Sequence, residues 1–75
     1  MPDGIKRDVL RGRMAELGYN ITTLASAVGV TRATVSAFFG GAAPSYMMMR
    51  KMQRALKLSA AEAGDIFFSV DLLIA

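Results

Sequence analysis

The sequence contains neither cysteine nor histidine. Without cysteine, no disulfide framework and no thiolate zinc site can hold the chain together. Without histidine as well, the usual nucleophile–base pairs, metal triads and near-neutral proton shuttles are missing. The remaining Ser, Asp and Glu residues form no recognisable dyad, so no enzymatic activity, cofactor or metal ion is expected. A long apolar run is also lacking. The most apolar stretch, Ile66 to Ala75, is too short to span a bilayer and carries Asp71. The first residues lack the continuous apolar segment of a secretory signal. The expectation is a soluble cytoplasmic protein with no membrane partner and no small-molecule ligand.

What is present is a chain of 75 residues, 53% of them hydrophobic, which excludes intrinsic disorder and leaves room for a single small domain. A chain of this length buries only about 60% of its unfolded surface, so its core must be efficient. The formal net charge is +3, and its distribution is uneven. Every Lys and Arg (Lys6, Arg7, Arg11, Arg13, Arg32, Arg50, Lys51, Arg54, Lys57) lies between Ile5 and Lys57, where only Asp8 and Glu16 oppose them. A basic body with an acidic end favours an anionic partner, above all nucleic acid.

Helical spacing dominates. Leu10, Met14 and Leu17 share one face of a first helix over about 6–17, with Gly18 as its stop. Gly12 inside it is either merely tolerated or marks the close approach of another backbone. A second helix covers about 22–28, with Leu24, Ala25 and Val28 inward. Thr31 caps a third that reaches about Phe39 and ends at Gly40-Gly41. Ser45 caps a fourth extending to about Lys57, on which Met48, Met49, Met52, Ala55 and Leu56 oppose Arg50, Lys51, Arg54 and Lys57. This methionine stripe is either core or an adaptable binding surface. Ser59 and Glu62 have the spacing of a capping box that opens a fifth helix over about 60–67. The pattern is that of an all-α fold: a compact five-helix bundle forming one domain over 1–75, with its core at about 5–68 and a short apolar tail at 69–75.

The most informative stretch is Ile21 to Gly41. Ala25 is small enough to let a second helix cross closely. Gly29, four residues later, permits a left-handed turn, and Val30 and Val35 fill the space between the helices. These are the geometric needs of a helix-turn-helix. In Leu24-Ala25, Val28-Gly29-Val30, Thr31-Arg32, Val35-Ser36 and the VSAFFGG run, the chain resembles the Cro/C1-type, or XRE-type, phage-repressor class of helix-turn-helix domains. That group includes the DNA-binding domain of the lambda repressor. Leu10-Arg11, Pro44-Ser45 and Ala55-Leu56 extend the likeness over about 5–68.

The resemblance implies a sequence-specific regulator of double-stranded DNA, a repressor or Cro-like switch of phage or mobile-element type, in bacterial or phage cytoplasm and nucleoid-associated. It implies a third helix in the major groove and a homodimer, at least on DNA, reading an inverted-repeat operator. Many members carry a glutamine at the start of the second helix to clamp a phosphate. Ile21 stands there, which leaves Thr22, Thr23 or backbone amides for that contact. On the third helix the outward stripe is Ala33, Ser36, Ala37 and Gly40, all small, with Arg32 beside it as the one long donor able to grip a guanine edge. Arg32 reads a base or holds a phosphate; Ser36 can bond a base, and Ala33 and Ala37 can touch thymine methyls. Thr31 and Thr34 suit phosphates, as do Arg11, Arg13 and the 40–45 loop leading to Arg50. The tail after Ser69 either dimerises the chain or packs back on its own helices. The competing reading is an antitoxin or adaptor that uses the tail and the methionine face to bind another protein.

Overall fold

A computed structural model of the chain describes residues 4–68; the 69–75 tail, with its expected dimerising role, lies outside them. Five helices follow one another: α1 Arg7–Glu16, α2 Ile21–Val28, α3 Arg32–Phe39, α4 Tyr46–Ala55 and α5 Ala60–Phe68. Among the described residues there are no strands. Each helix turns its apolar positions to a common core. That core contains Leu10 and Met14 from α1, Leu24, Ala25 and Val28 from α2, Val35, Phe38 and Phe39 from α3, Met48 and Met52 from α4, and Ala63, Ile66 and Phe67 from α5. Leu56 and Leu58, in the α4–α5 turn, close it. The methionines of the stripe are therefore core, apart from the half-buried Met49; the exposed Met47 lies outside the stripe.

Local chemistry sets the boundaries. Ser45 Oγ accepts from Met48 N at 3.1 Å and opens α4. Ser59 and Glu62 form the reciprocal box, with Ser59 N donating to the Glu62 carboxylate at 2.9 Å and Glu62 N donating to Ser59 Oγ at 3.0 Å. The backbone donor of Ser59, then its side chain, hold the Glu62 carboxyl below the usual carboxylate range.

The α4 helix stops two residues short of the expected Lys57. Lys57 takes a left-handed conformation (φ 55°), and Leu58 N reaches back to Gln53 O at 2.9 Å. This is the hydrogen-bond pattern of a Schellman ending, built on a non-glycine residue. Burial of Leu58 (7% exposed) favours ending the helix there, because a further turn would swing that side chain away from the core.

Gly12 does not mark a close approach. A Cβ built on it would meet nothing within 4 Å. Its flexibility is then only a cost to the helix, and Gly12→Ala is expected to stabilise the fold by about 0.5–1 kcal/mol. A thermal melt should show a rise of a few degrees, and an unchanged or lower Tm would contradict the open geometry.

The main packing pairs are α1 with α5, α5 with α4, α4 with α2, and α2 with α3. Lys6 N donates to Ile66 O at 2.9 Å and fastens the start of α1 to α5. The neighbouring Lys6–Asp65 ion pair is solvent-exposed on both sides and adds little. In this order α3 stands at the end, held mainly by α2, and much of its surface stays open.

Candidate nucleic-acid interface

The interface is built on the α2–α3 corner. Leu24, Ala25 and Val28 bury one side of α2, and Ala25, only 3% exposed, leaves room for the next helix to cross. Gly29 then turns the chain in the left-handed region (φ 80°, ψ 30°). Its N–H donates to Ala25 O at 2.9 Å, and Val30 N donates to the same carbonyl at 3.0 Å. Val30 packs against the core and fixes the exit direction. The two helices are bent by 113° across this break, within the range of DNA-binding helix pairs. Among the described residues no single helix is long and apolar enough to cross a membrane, and this bent pair passes on length and composition only.

Thr31 opens α3. Its Oγ1 accepts from Thr34 N at 3.2 Å and lies 2.8 Å from the Thr34 hydroxyl. Val35, Phe38 and Phe39 point inward, while Arg32, Ala33, Ser36, Ala37 and Gly40 are exposed. The outward stripe is thus free of covering polypeptide among the described residues. Thr22 and Thr23, in the first turn of α2, are exposed as well.

The α2 start lies one residue earlier than the sequence pattern suggested, and Asn20 caps it. Its Oδ1 accepts from Thr23 N at 2.8 Å, and Thr23 Oγ1 accepts from Asn20 N at 2.8 Å. The Thr23 hydroxyl is therefore already engaged, which leaves Thr22 and the backbone as the freer donors there. An Asn-x-x-Thr spacing is the sequence signal of this cap.

Between these elements lies an open cleft of about 480 Å³. It is lined by Arg11 and Met14 of α1, Asn20 and Ile21 at the start of α2, and Ser36, Phe39 and Gly40 at the end of α3. The Arg11 guanidinium sits 5.1 Å from the centroid of the Phe39 ring, at a favourable cation–π distance. Arg13 goes elsewhere. Its Nε donates to Leu56 O at 2.9 Å and its Nη2 to Lys57 O at 3.0 Å, so it caps the carbonyl end of α4. A cation there satisfies orphan acceptors and the helix dipole together, and the expected phosphate role of Arg13 is not supported by this geometry. Arg50, one turn into α4, donates to the Tyr46 hydroxyl at 3.0 Å and stays exposed.

A tightly bent helix pair, whose second helix offers small side chains beside an exposed arginine, defines a helix-turn-helix protein of the nucleic-acid-binding kind. A helix-turn-helix family model matches residues 10–62, more than half of the chain, and the chain belongs to that family, the Cro/C1-type (XRE) domains. It is a DNA-binding, transcription-regulating domain of this type. No curated protein and no solved structure matches it significantly.

Proposed function

We propose that the chain is a sequence-specific repressor or Cro-like switch, of phage or mobile-element type, that lays α3 into the major groove and binds an inverted repeat as a homodimer. The observation that carries this reading is the exposed stripe of Ala33, Ser36, Ala37 and Gly40 with Arg32 beside it. Small residues let a helix sit deep, so Arg32 reaches a guanine edge, Ser36 bonds a base and the alanines meet thymine methyls. Direct readout of this kind is thin. Phosphate charge and DNA shape supply much of the remaining affinity, through Thr22, Thr31 and Thr34 near the backbone and Arg11 and Arg50 at the flanks.

Selection from a random duplex library tests the reading, because it reports binding, symmetry and half-site spacing together. The expected result is an inverted repeat with half-sites about one helical turn apart. Affinity for it should fall with salt at a slope of about −0.9 per phosphate neutralised. Indifference to all DNA at low salt would leave the adaptor reading. The methionine face that this alternative needs is largely consumed by the core, with Met48 5% and Met52 0% exposed and Met49 half-buried.

A further inference from the structure

The end of α3 is bordered by a glycine pair, which has no side chains to lock it. Gly40 caps the helix and Gly41 follows in a left-handed conformation (φ 116°). Two backbone bonds close the turn, Gly41 N to Phe38 O at 3.0 Å and Ala42 N to Ala37 O at 2.9 Å. Arg7, in the first turn of α1, spans it from outside. Its Nε donates to Phe38 O at 2.6 Å, on the helix side of the pair. Its Nη2 donates to Ala42 O at 3.1 Å, on the loop side. The guanidinium carbon lies 4.7 Å from the centroid of the Phe38 ring. Both acceptors are main-chain carbonyls, one on the fully buried Phe38 and the other on the exposed Ala42 beyond the glycine pair, so the strap ties the loop to a fixed point of the core.

From this geometry we infer that Arg7 is a positioning residue for DNA recognition, resting on the proposed role of α3 as the reading helix. At its start α3 is directed by the Gly29 corner. At its end, Arg7 ties it to α1, an element that otherwise packs mainly on α5. The strap fixes how far the Ser36–Gly40 end projects and where the 40–45 loop leaves the helix. Two fixed ends make a two-turn helix a rigid probe, and misplacing one end costs base contacts while leaving charge contacts in place. Lysine cannot substitute: an ammonium lacks the planar fork that reaches both carbonyls while lying on a ring.

The test measures binding of the full chain to the duplex recovered by selection and to a scrambled duplex of equal length, at several salt concentrations. The variants are Arg7→Lys, Arg7→Ala, and Arg7→Ala combined with Gly12→Ala, in case the single alanine variant folds poorly. Affinity for the selected duplex is expected to fall about tenfold in each, the scale of one lost base contact. Affinity for the scrambled duplex should stay within about twofold with an unchanged salt slope. Amide exchange at Gly41 and Ala42 should quicken in the same variants. Wild-type discrimination in Arg7→Lys would overturn the positioning role. So would equal losses on both duplexes with a salt slope shallower by about one, which would make Arg7 a phosphate contact. If the wild-type chain itself prefers no duplex, it is the reading role of α3 that fails, and the inference falls with it.

Discussion

Phe38→Ala is expected to unfold most of the protein near physiological temperature. Phe38 is 1% exposed and among the largest fully buried side chains. Its ring meets Phe39 edge-on, with centroids 5.0 Å apart, and carries the Arg7 guanidinium on its face. Truncating a buried phenylalanine costs about 3–5 kcal/mol through lost transfer energy and the cavity left behind. A domain of this size stands near the lower end of the ordinary stability range, about 5 kcal/mol, so the loss consumes most of it. Urea titration followed by circular dichroism would show the collapse directly. Phe38→Leu keeps more of the volume and should lose much less. A Phe38→Ala variant that melted within a few degrees of the parent would mean that the α3 interior is not the keystone its burial implies.

The second large effect falls on binding and spares the fold. Arg32 occupies the first helical position of α3, exposed and with no ion pair among the described residues. A cation at a helix N-terminus opposes the helix dipole and is mildly unfavourable. Among the described residues no ion pair offsets this, and a local rule broken without compensation is the mark of a functional position. Arg32→Ala is therefore expected to leave the melting temperature unchanged or slightly raised. It should lower affinity for the selected duplex by about 1–3 kcal/mol, as for a lost bidentate contact to guanine. The partition between sequences assigns the role. A loss confined to duplexes with the preferred base at one position makes Arg32 a reader, whereas a uniform loss with a shallower salt slope makes it a phosphate anchor. Unaltered binding on every duplex would remove Arg32 from the interface.

Much of this organisation was legible in the order of residues because it depends on groups only a few positions apart. Thr31, Ser45 and the Ser59–Glu62 pair stop and start helices through bonds that span three residues. Gly29 turns α2 into α3 because a left-handed corner favours glycine. The inward sets Leu24-Ala25-Val28 and Val35-Phe38 follow from a 3.6-residue period. Those same periods leave Ala33, Ser36, Ala37 and Gly40 on the far side, so the candidate reading face is legible in the sequence.

The arginines of α1 show where that legibility ends. Arg7 and Arg13 look alike in the sequence, two cations on one basic helix, yet one straps the end of α3 and the other caps the end of α4. Their acceptors are backbone carbonyls 31 to 44 residues away. A carbonyl belongs to every residue, so no side-chain pattern announces which will receive the bond. The early stop of α4 has a similar origin, since burying Leu58 outweighs the local cost of a left-handed Lys57. Local order thus determined the five helices, their caps, the glycine corner and the chemistry of the exposed stripe. Only the assembled tertiary structure decided which cations are consumed within the fold and which stay exposed, because long-range packing alone brings a guanidinium to the open end of a distant helix.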